Sequence, residues 1–178
     1  MQAYGQAGGA EPLDDVDIAS VAVTFEELYR RDFTAVVGLV YALSGSRHAA
    51  EELAQDAFLA AHRAWDRIGG YDDPGAWVRR VALNRAVSSL RRRSVETRSL
   101  LRLAGQRPLP DPLPEDADDF WRAVRRLPTR QSQAIALHYL EDRSVKDIAV
   151  VLECAEATVK VHLHRGRQAL AAALGEEP

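Results

Sequence analysis

Trp77, Arg80 and Asn84 fall at steps of three and four residues, so on a helix they share one face, which Ser88 and Arg91 extend. Tyr71 stands just before them in the stretch Ile68-Gly69-Gly70-Tyr71-Asp72-Asp73, a loop by composition. Aromatic faces stack on unpaired bases at about 1–3 kcal/mol per base, and arginines track a phosphate backbone. An asparagine amide pairs with a base edge. Together these groups suit single-stranded or melting DNA better than a rigid duplex. The competing structural reading makes Trp77 a core residue, and for Trp77 alone that reading is the better one. For the cluster Arg79, Arg80, Arg85, Arg91, Arg92 and Arg93, nucleic-acid contact is favoured over a merely solvated stripe.

A second constellation lies near the C-terminus. A short helical stretch holding Val145, Ile148, Ala149, Val151 and Leu152 is followed by a break at Glu153-Cys154-Ala155. A longer basic helix then runs from about Glu156 to Leu174. This is the pattern of a helix-turn-helix. Val159 and Leu163 point inward, while Thr158, Lys160, His162, Arg165 and Arg167 point outward. A recognition helix needs this division, because apolar residues hold its angle while long donors reach base edges and phosphates. A plain helical hairpin with a solvated basic face fits the same pattern.

The third constellation is acidic: Glu51, Glu52, Gln55 and Asp56, with Leu53 and Phe58 alongside. It suits a docking face for a basic partner, or a solvated helix face. No catalytic set accompanies these three. There is no glycine-rich phosphate loop or nucleophile elbow, and no histidine stands with a carboxylate as a general base. His162 and His164, two apart on a helix, diverge and do not share a metal easily, and Cys154 is the only cysteine. The chain therefore reads as a non-enzyme without cofactor or metal.

These groups need helices to hold them. From Thr24 onward, Phe25, Leu28, Tyr29, Phe33, Val36, Val37, Val40 and Tyr41 form one apolar stripe, with Thr24 and Glu27 spaced as a capping box and Ser44-Gly45-Ser46 as the stop. A second helix is predicted from about Arg47 to Arg67, burying Leu53, Ala57, Phe58, Ala61 and Trp65. Asp73-Pro74 predicts the cap and first position of a third, running to about Arg93 with Val78, Val81, Ala82, Ala86 and Leu90 inward. Residues 94–117 lose the period and include Pro108, Pro110, Pro112 and Pro114, which predicts an extended linker with a short helical piece near Leu100–Leu103. Helical spacing returns at Phe120–Leu127, breaks at Pro128 and resumes through Leu140. Ser144 and Asp147 then form another capping box. No strand-like alternation is present, so the expected fold is all-α: two small helical domains, residues 24–93 and 118–174, on a flexible linker. Residues 1–23 and 175–178 read as tails.

The charge distribution agrees with two kinds of partner. The 178-residue chain has a net charge of −3. Residues 1–78 nevertheless hold five basic against thirteen acidic side chains, and residues 79–107 hold nine arginines against Glu96. Residues 108–119 are purely acidic in charge and residues 120–178 mildly basic. One partner of such a segregated chain is polyanionic. A composition of 47% hydrophobic and 28% charged residues is that of a globular protein. No apolar run reaches the roughly 20 residues of a membrane helix, and no signal-peptide pattern opens the chain. With one cysteine, a reducing cytoplasm is the default compartment.

The order of these motifs resembles the bacterial extracytoplasmic-function sigma factors of the sigma-70 family. Ala50-Glu51-Glu52-Leu53-Ala54-Gln55-Asp56-Ala57-Phe58 and Ala76-Trp77-Val78-Arg79-Arg80-Val81-Ala82-Leu83-Asn84-Arg85 look like the sigma-two domain. Leu127-Pro128, Ser144–Ala149 and Thr158–Arg167 look like the sigma-four domain. The resemblance implies a promoter-specificity subunit of RNA polymerase that acts in the cytoplasm at the nucleoid. Glu52, Leu53, Gln55, Asp56 and Phe58 would dock on the polymerase. Tyr71, Trp77, Arg80, Asn84, Ser88 and Arg91 would recognise and open the minus-ten element. Thr158, Lys160, His162, Arg165 and Arg167 would enter the major groove of the minus-thirty-five element. Core RNA polymerase, promoter DNA and an anti-sigma factor are the implied partners. Four positions depart from the pattern: Ser88 replaces Asp or Asn, Glu153 a turn Gly, Ala155 a better N-cap, and His162 a common Arg. A repressor or activator working without polymerase, and a helical protein scaffold, are the alternatives the motifs leave.

Overall fold

The computed structural model describes the backbone of residues 23–104 and 118–175, and the side chains of residues 23–89 and 119–175. Every regular element among the described residues is a helix: α1 (Phe25–Ser44), α2 (Arg47–Arg63), α3 (Trp65–Ile68), α4 (Pro74–Ala104), α5 (Asp118–Val124), α6 (Thr129–Tyr139), α7 (Val145–Leu152) and α8 (Glu156–Leu174). The tail expected over residues 1–23 and the proline-rich part of the linker lie, apart from Val23, outside the described residues.

The caps form where the sequence places them. Thr24 Oγ1 accepts the Glu27 N–H at 3.2 Å while the Glu27 carboxylate accepts the Thr24 N–H at 2.9 Å. Gly45, at φ 68°, closes α1 in the left-handed conformation that costs glycine least. Asp73 Oδ1 accepts the Ala76 N–H at 2.9 Å and Pro74 takes the first position of α4.

Two expectations are corrected. The helix predicted over Arg47–Arg67 is broken at Ala64, whose N–H is shared between the carbonyls of Ala60 and Ala61. The turn sets Trp65 edge-on against Phe25, with centroids 5.5 Å apart; Trp65 is half-buried, as is Leu53 on α2. The third helix does not stop near Arg93 but continues to Ala104. Between Gly75 and Gly105 there is neither glycine nor proline, and strong helix formers such as Leu100, Leu101, Arg102 and Leu103 carry it on.

Alanines 50, 54, 57 and 61 make a small-residue stripe on α2 that lets α1 and α4 approach. Leu28, Val36, Val40, Phe58, Ile68, Val78, Ala82 and Ala86 complete this first core. The second core joins Val124, Ile135, Leu137, Ile148, Val151, Leu152, Val159, Leu163 and Leu170. Gly166 allows α8 to lie on α6, since a Cβ there would sit 2.9 Å from Ile135. The second core also takes in Leu39 and Leu43 of α1 and Ala76 and Leu83 of α4. The two helical units are thus packed on each other along a seam, not merely tethered.

Candidate nucleic-acid interface

The Asp73 cap leaves Tyr71 on the loop before α4, 45% exposed. One turn into the helix, Trp77 lies half-buried against the first core, in keeping with its structural reading. Asn84 is exposed, and with Val81, Arg85 and Ser88 it lines an open hollow of about 310 Å³. The Ser88 hydroxyl donates to the Asn84 carbonyl at 2.9 Å, which commits its proton to the helix backbone. Arg91 is on the helical backbone of α4, with its side chain outside the described residues. Arg85 Nη1 pairs with Asp56 Oδ2 of α2 at 3.0 Å, tying this face to the acidic one.

The two arginines in the middle of α4 behave differently. Arg80 is ion-paired with Glu153, the residue that ends α7. Arg79, expected in the basic stripe, is only 4% exposed. Its Nη1 donates to Asp32 Oδ2 at 2.9 Å and to the Gly75 carbonyl at 3.2 Å, and its Nε donates to Glu141 Oε2 at 2.6 Å. Arg31 holds the other side of Asp32 at 2.8 and 3.1 Å, and Arg143 Nε reaches Glu141 at 2.9 Å. Burial alone would push the Asp32 carboxyl up, but the guanidinium groups of Arg31 and Arg79 outweigh it and hold it below the usual range. Burial disfavours the Arg79 charge, but the carboxylates of Glu141 and Asp32 outweigh it and hold the guanidinium above its ordinary value. Arg79 is therefore a structural cation in this arrangement. The reason is its angular position: Ala76, Arg79 and Leu83 point to the second unit. Leu83, an apolar residue off the main stripe of α4, was the available signal.

On the second unit, Val159 and Leu163 are buried, and Thr158, Lys160, His164, Arg165 and Arg167 are exposed. His162 is half-buried, and burial, with Arg130 and Arg165 nearby, holds its imidazole below the ordinary value. Arg167 turns toward α6, its Nε 2.8 Å from the Tyr139 hydroxyl and its guanidinium carbon 5.6 Å from that ring's centre. The turn before α8 shows the two departures noted in sequence. Glu153 occupies a left-handed conformation, at φ 52°, where glycine would be unstrained, and Ala155 provides no side-chain cap.

The acidic face of α2 exposes Glu52, Gln55 and Asp56, with Leu53 half-buried. Phe58 is not on this face: it is 2% exposed and packs edge-on to Tyr29, centroids 5.1 Å apart. The exposed apolar group there is Leu59, which with Phe25, Tyr29, Gln55 and His62 borders a hollow of about 380 Å³ that reaches Phe58. Sequence reading did not name Leu59 and placed Tyr29 in the inward stripe of α1, at whose margin it lies exposed.

The comparisons with known proteins follow this division. Residues 28–96 match the family Sigma-70 region 2, and residues 117–170 match Sigma-70, region 4. The ECF RNA polymerase sigma factor SigM of Mycobacterium tuberculosis (strain Erdman) is 30% identical over 166 residues, covering 89% of this chain and 81% of that protein. This chain belongs to the extracytoplasmic-function sigma factors. As such it is a transcription initiation factor that directs RNA polymerase to promoters and helps open them. SigW of Bacillus subtilis is 29% identical, covering 74% of this sigma factor and 79% of that one. SigE of Mycolicibacterium smegmatis is 31% identical, and the match spans 66% of that longer protein. Among solved structures, the sigma factor RpoE in complex with the anti-sigma factor NepR from Bartonella quintana superposes with a TM-score of 0.70 at 25% identity, covering 86% of this chain and 98% of that one. CnrH, solved with the cytosolic domain of CnrY, shares the fold at a TM-score of 0.61 and 23% identity.

Proposed function

We propose that residues 24–93 of this sigma factor dock on core RNA polymerase and open the minus-ten element, and that residues 118–174 anchor at the minus-thirty-five element. The residues between join the two, beginning as a continuation of α4. The observation that carries this division is the pairing of an exposed Asn84–Ser88 hollow on one unit with an exposed basic face on α8 of the other. The hollow, with Tyr71, Trp77 and Arg80 on the approach to it, receives an unstacked base and its backbone. Thr158, Lys160, His162 and Arg165 read a major groove, and Arg167 reaches a phosphate once it leaves Tyr139. Glu52, Gln55 and Asp56, with Leu59 replacing Phe58 as the apolar contact, meet a basic polymerase surface. The likeness to RpoE, solved with NepR, supports an anti-sigma factor as a further partner, and the whole acts in the cytoplasm at the nucleoid.

The test is transcription in vitro with purified core polymerase and the full chain. Asn84→Ala lowers promoter opening about tenfold, the size of one lost base contact of ~1–3 kcal/mol, while polymerase binding is unchanged. Asp56→Arg does the converse, weakening association with the core enzyme. Unchanged opening by the first variant removes the minus-ten assignment, and unchanged affinity of the second removes the docking face.

A further inference from the structure

The seam between the units has more built into it than packing requires. The second unit meets α4 with α7 and with the two turns that flank it. One, between α6 and α7, carries Glu141, Asp142 and Arg143. The other, between α7 and α8, carries Glu153. Asp142 at φ 50° and Glu153 at φ 52° are the two non-glycine residues with positive φ among the described residues. A left-handed conformation costs a side-chain-bearing residue roughly 1–2 kcal/mol, and such outliers persist where the surroundings impose them. Each strained turn delivers a carboxylate to one of two adjacent arginines: Glu141 to Arg79, and Glu153 to Arg80. Arg143 adds a pair to Asp73, the cap of α4, at 3.5 Å.

The two clasps differ in character. The Arg79 site is buried, networked with Asp32, and has a glycine cut to fit, since a Cβ on Gly75 would stand 2.5 Å from Asp32 Oδ2 and 2.9 Å from Arg79 Nη1. Yet it is imperfect: Glu141 Oε1 is buried with no hydrogen-bond partner among the described residues. A buried acceptor left unpaired is costly, so the closed seam is less stable than a fully satisfied one would be. The Arg80 clasp is open to water, since the Glu153 side chain is 67% exposed, and beside it runs a cleft of about 640 Å³ lined by Lys146, Val150, Glu153 and Glu156. An anion entering that cleft meets Arg80 already held by a carboxylate.

We infer that the two turns of the helix-turn-helix unit form a double carboxylate clasp on α4, closing the free chain into a self-masked state in which Glu153 occupies Arg80 in place of a DNA phosphate. This rests on the reading of Arg80 as a DNA contact. Glu141 and Arg79 set the closed geometry, and Glu153 does the masking. DNA and the second unit then compete for one guanidinium, so promoter DNA is admitted only when the units part. The strained Glu153 is the cost of that competition: glycine would build the turn better but would leave Arg80 free.

The experiment uses the full chain in a Cys154→Ser background, with fluorophores on cysteines placed at the exposed positions Arg63 and Gln168 to read the distance between units by energy transfer. Glu153→Gly keeps the turn and removes the carboxylate; Glu153→Gln keeps its size and removes its charge. Both are expected to raise the affinity of the free chain for single-stranded promoter DNA by about 1.5- to fivefold, the effect of removing one competing exposed pair. Combined with Glu141→Gln, they are expected to lengthen and broaden the inter-unit distance. Raising salt is expected to shift the unsubstituted chain the same way. An unchanged distance in the double variant, or an unchanged DNA affinity in both Glu153 variants, overturns the clasp. Arg80→Ala, assayed for promoter opening in the assembled holoenzyme, tests the DNA reading separately. If opening survives there while the distance still responds to Glu141 and Glu153, the closure stands and the role given to Arg80 falls.

Discussion

The two cores of this sigma factor are built on different terms. The first is supplied by its own four helices, with the aromatic residues of α1 against Phe58 and the alanine stripe of α2 between α1 and α4. The second borrows Leu39, Leu43, Ala76 and Leu83 from the first unit to complete itself. A self-contained core resists opening, whereas a borrowed one has an open alternative in which a few apolar side chains return to water. The contrast leaves the first unit with a core of its own and the second with one completed across the seam.

Truncating each core at one residue sharpens that contrast most. Phe58→Ala is expected to destabilise the first unit by about 3–5 kcal/mol, seen as a large loss in a urea melt and as lost polymerase binding. Leu83→Ala removes a seam contact instead; its cost, about 2 kcal/mol by the area a leucine buries, falls on the closed arrangement. Both units are expected to stay folded by circular dichroism while the inter-unit distance grows. A melt in which Leu83→Ala costs as much as Phe58→Ala would make the seam an ordinary core. Next in size is Gly75→Ala, whose methyl group collides with the Asp32–Arg79 pair and is expected to cost about 1–3 kcal/mol at the α1–α4 junction that holds Arg79.

Acid breaks the comparison from another side. The folded-state pKa of Asp32 is depressed, so its contribution is fully present above the ordinary carboxylate value of about 3.9. It is lost as pH falls through the depressed value. The stability of the first unit in a urea melt is therefore expected to hold between about pH 5 and pH 7 and to fall below about pH 4, and Asp32→Asn is expected to weaken that dependence. The smallest effect belongs to α8. His162, held neutral at physiological pH, adds little charge there. His162→Gln is expected to leave binding to minus-thirty-five duplex nearly unchanged at pH 7.5, whereas His162→Arg raises the salt slope of binding by about one.

Much of the architecture was legible before any coordinates. The capping boxes at Thr24 and Ser144, the Asp73-Pro74 start and the Gly45 stop are local chemistry, decided within four residues, and all appear. So are the inward positions of Val159 and Leu163, which follow from a 3.6-residue period. The strained turn at Glu153 was legible as a departure from glycine, and the structure gives it a partner. What periodicity misjudged were residues that serve two masters. Arg79 counted as one more cation of a basic stripe until a second unit closed over it. Phe58 read both as core and as docking contact, and burial assigns it to the core, with Leu59 left outside.

The amino-acid sequence on its own determined the helices, their caps, the polar face of α4, the basic face of α8 and the two-part order of the chain, because each depends on neighbours a few residues away. Only the tertiary structure decided which arginine is buried and which is masked, and that the second core is completed by α1 and α4. Those outcomes rest on pairs such as Arg79–Glu141 and Arg80–Glu153, 62 and 73 residues apart in the chain. No local period reports such a pairing, since it exists only once surfaces distant in the chain have packed together.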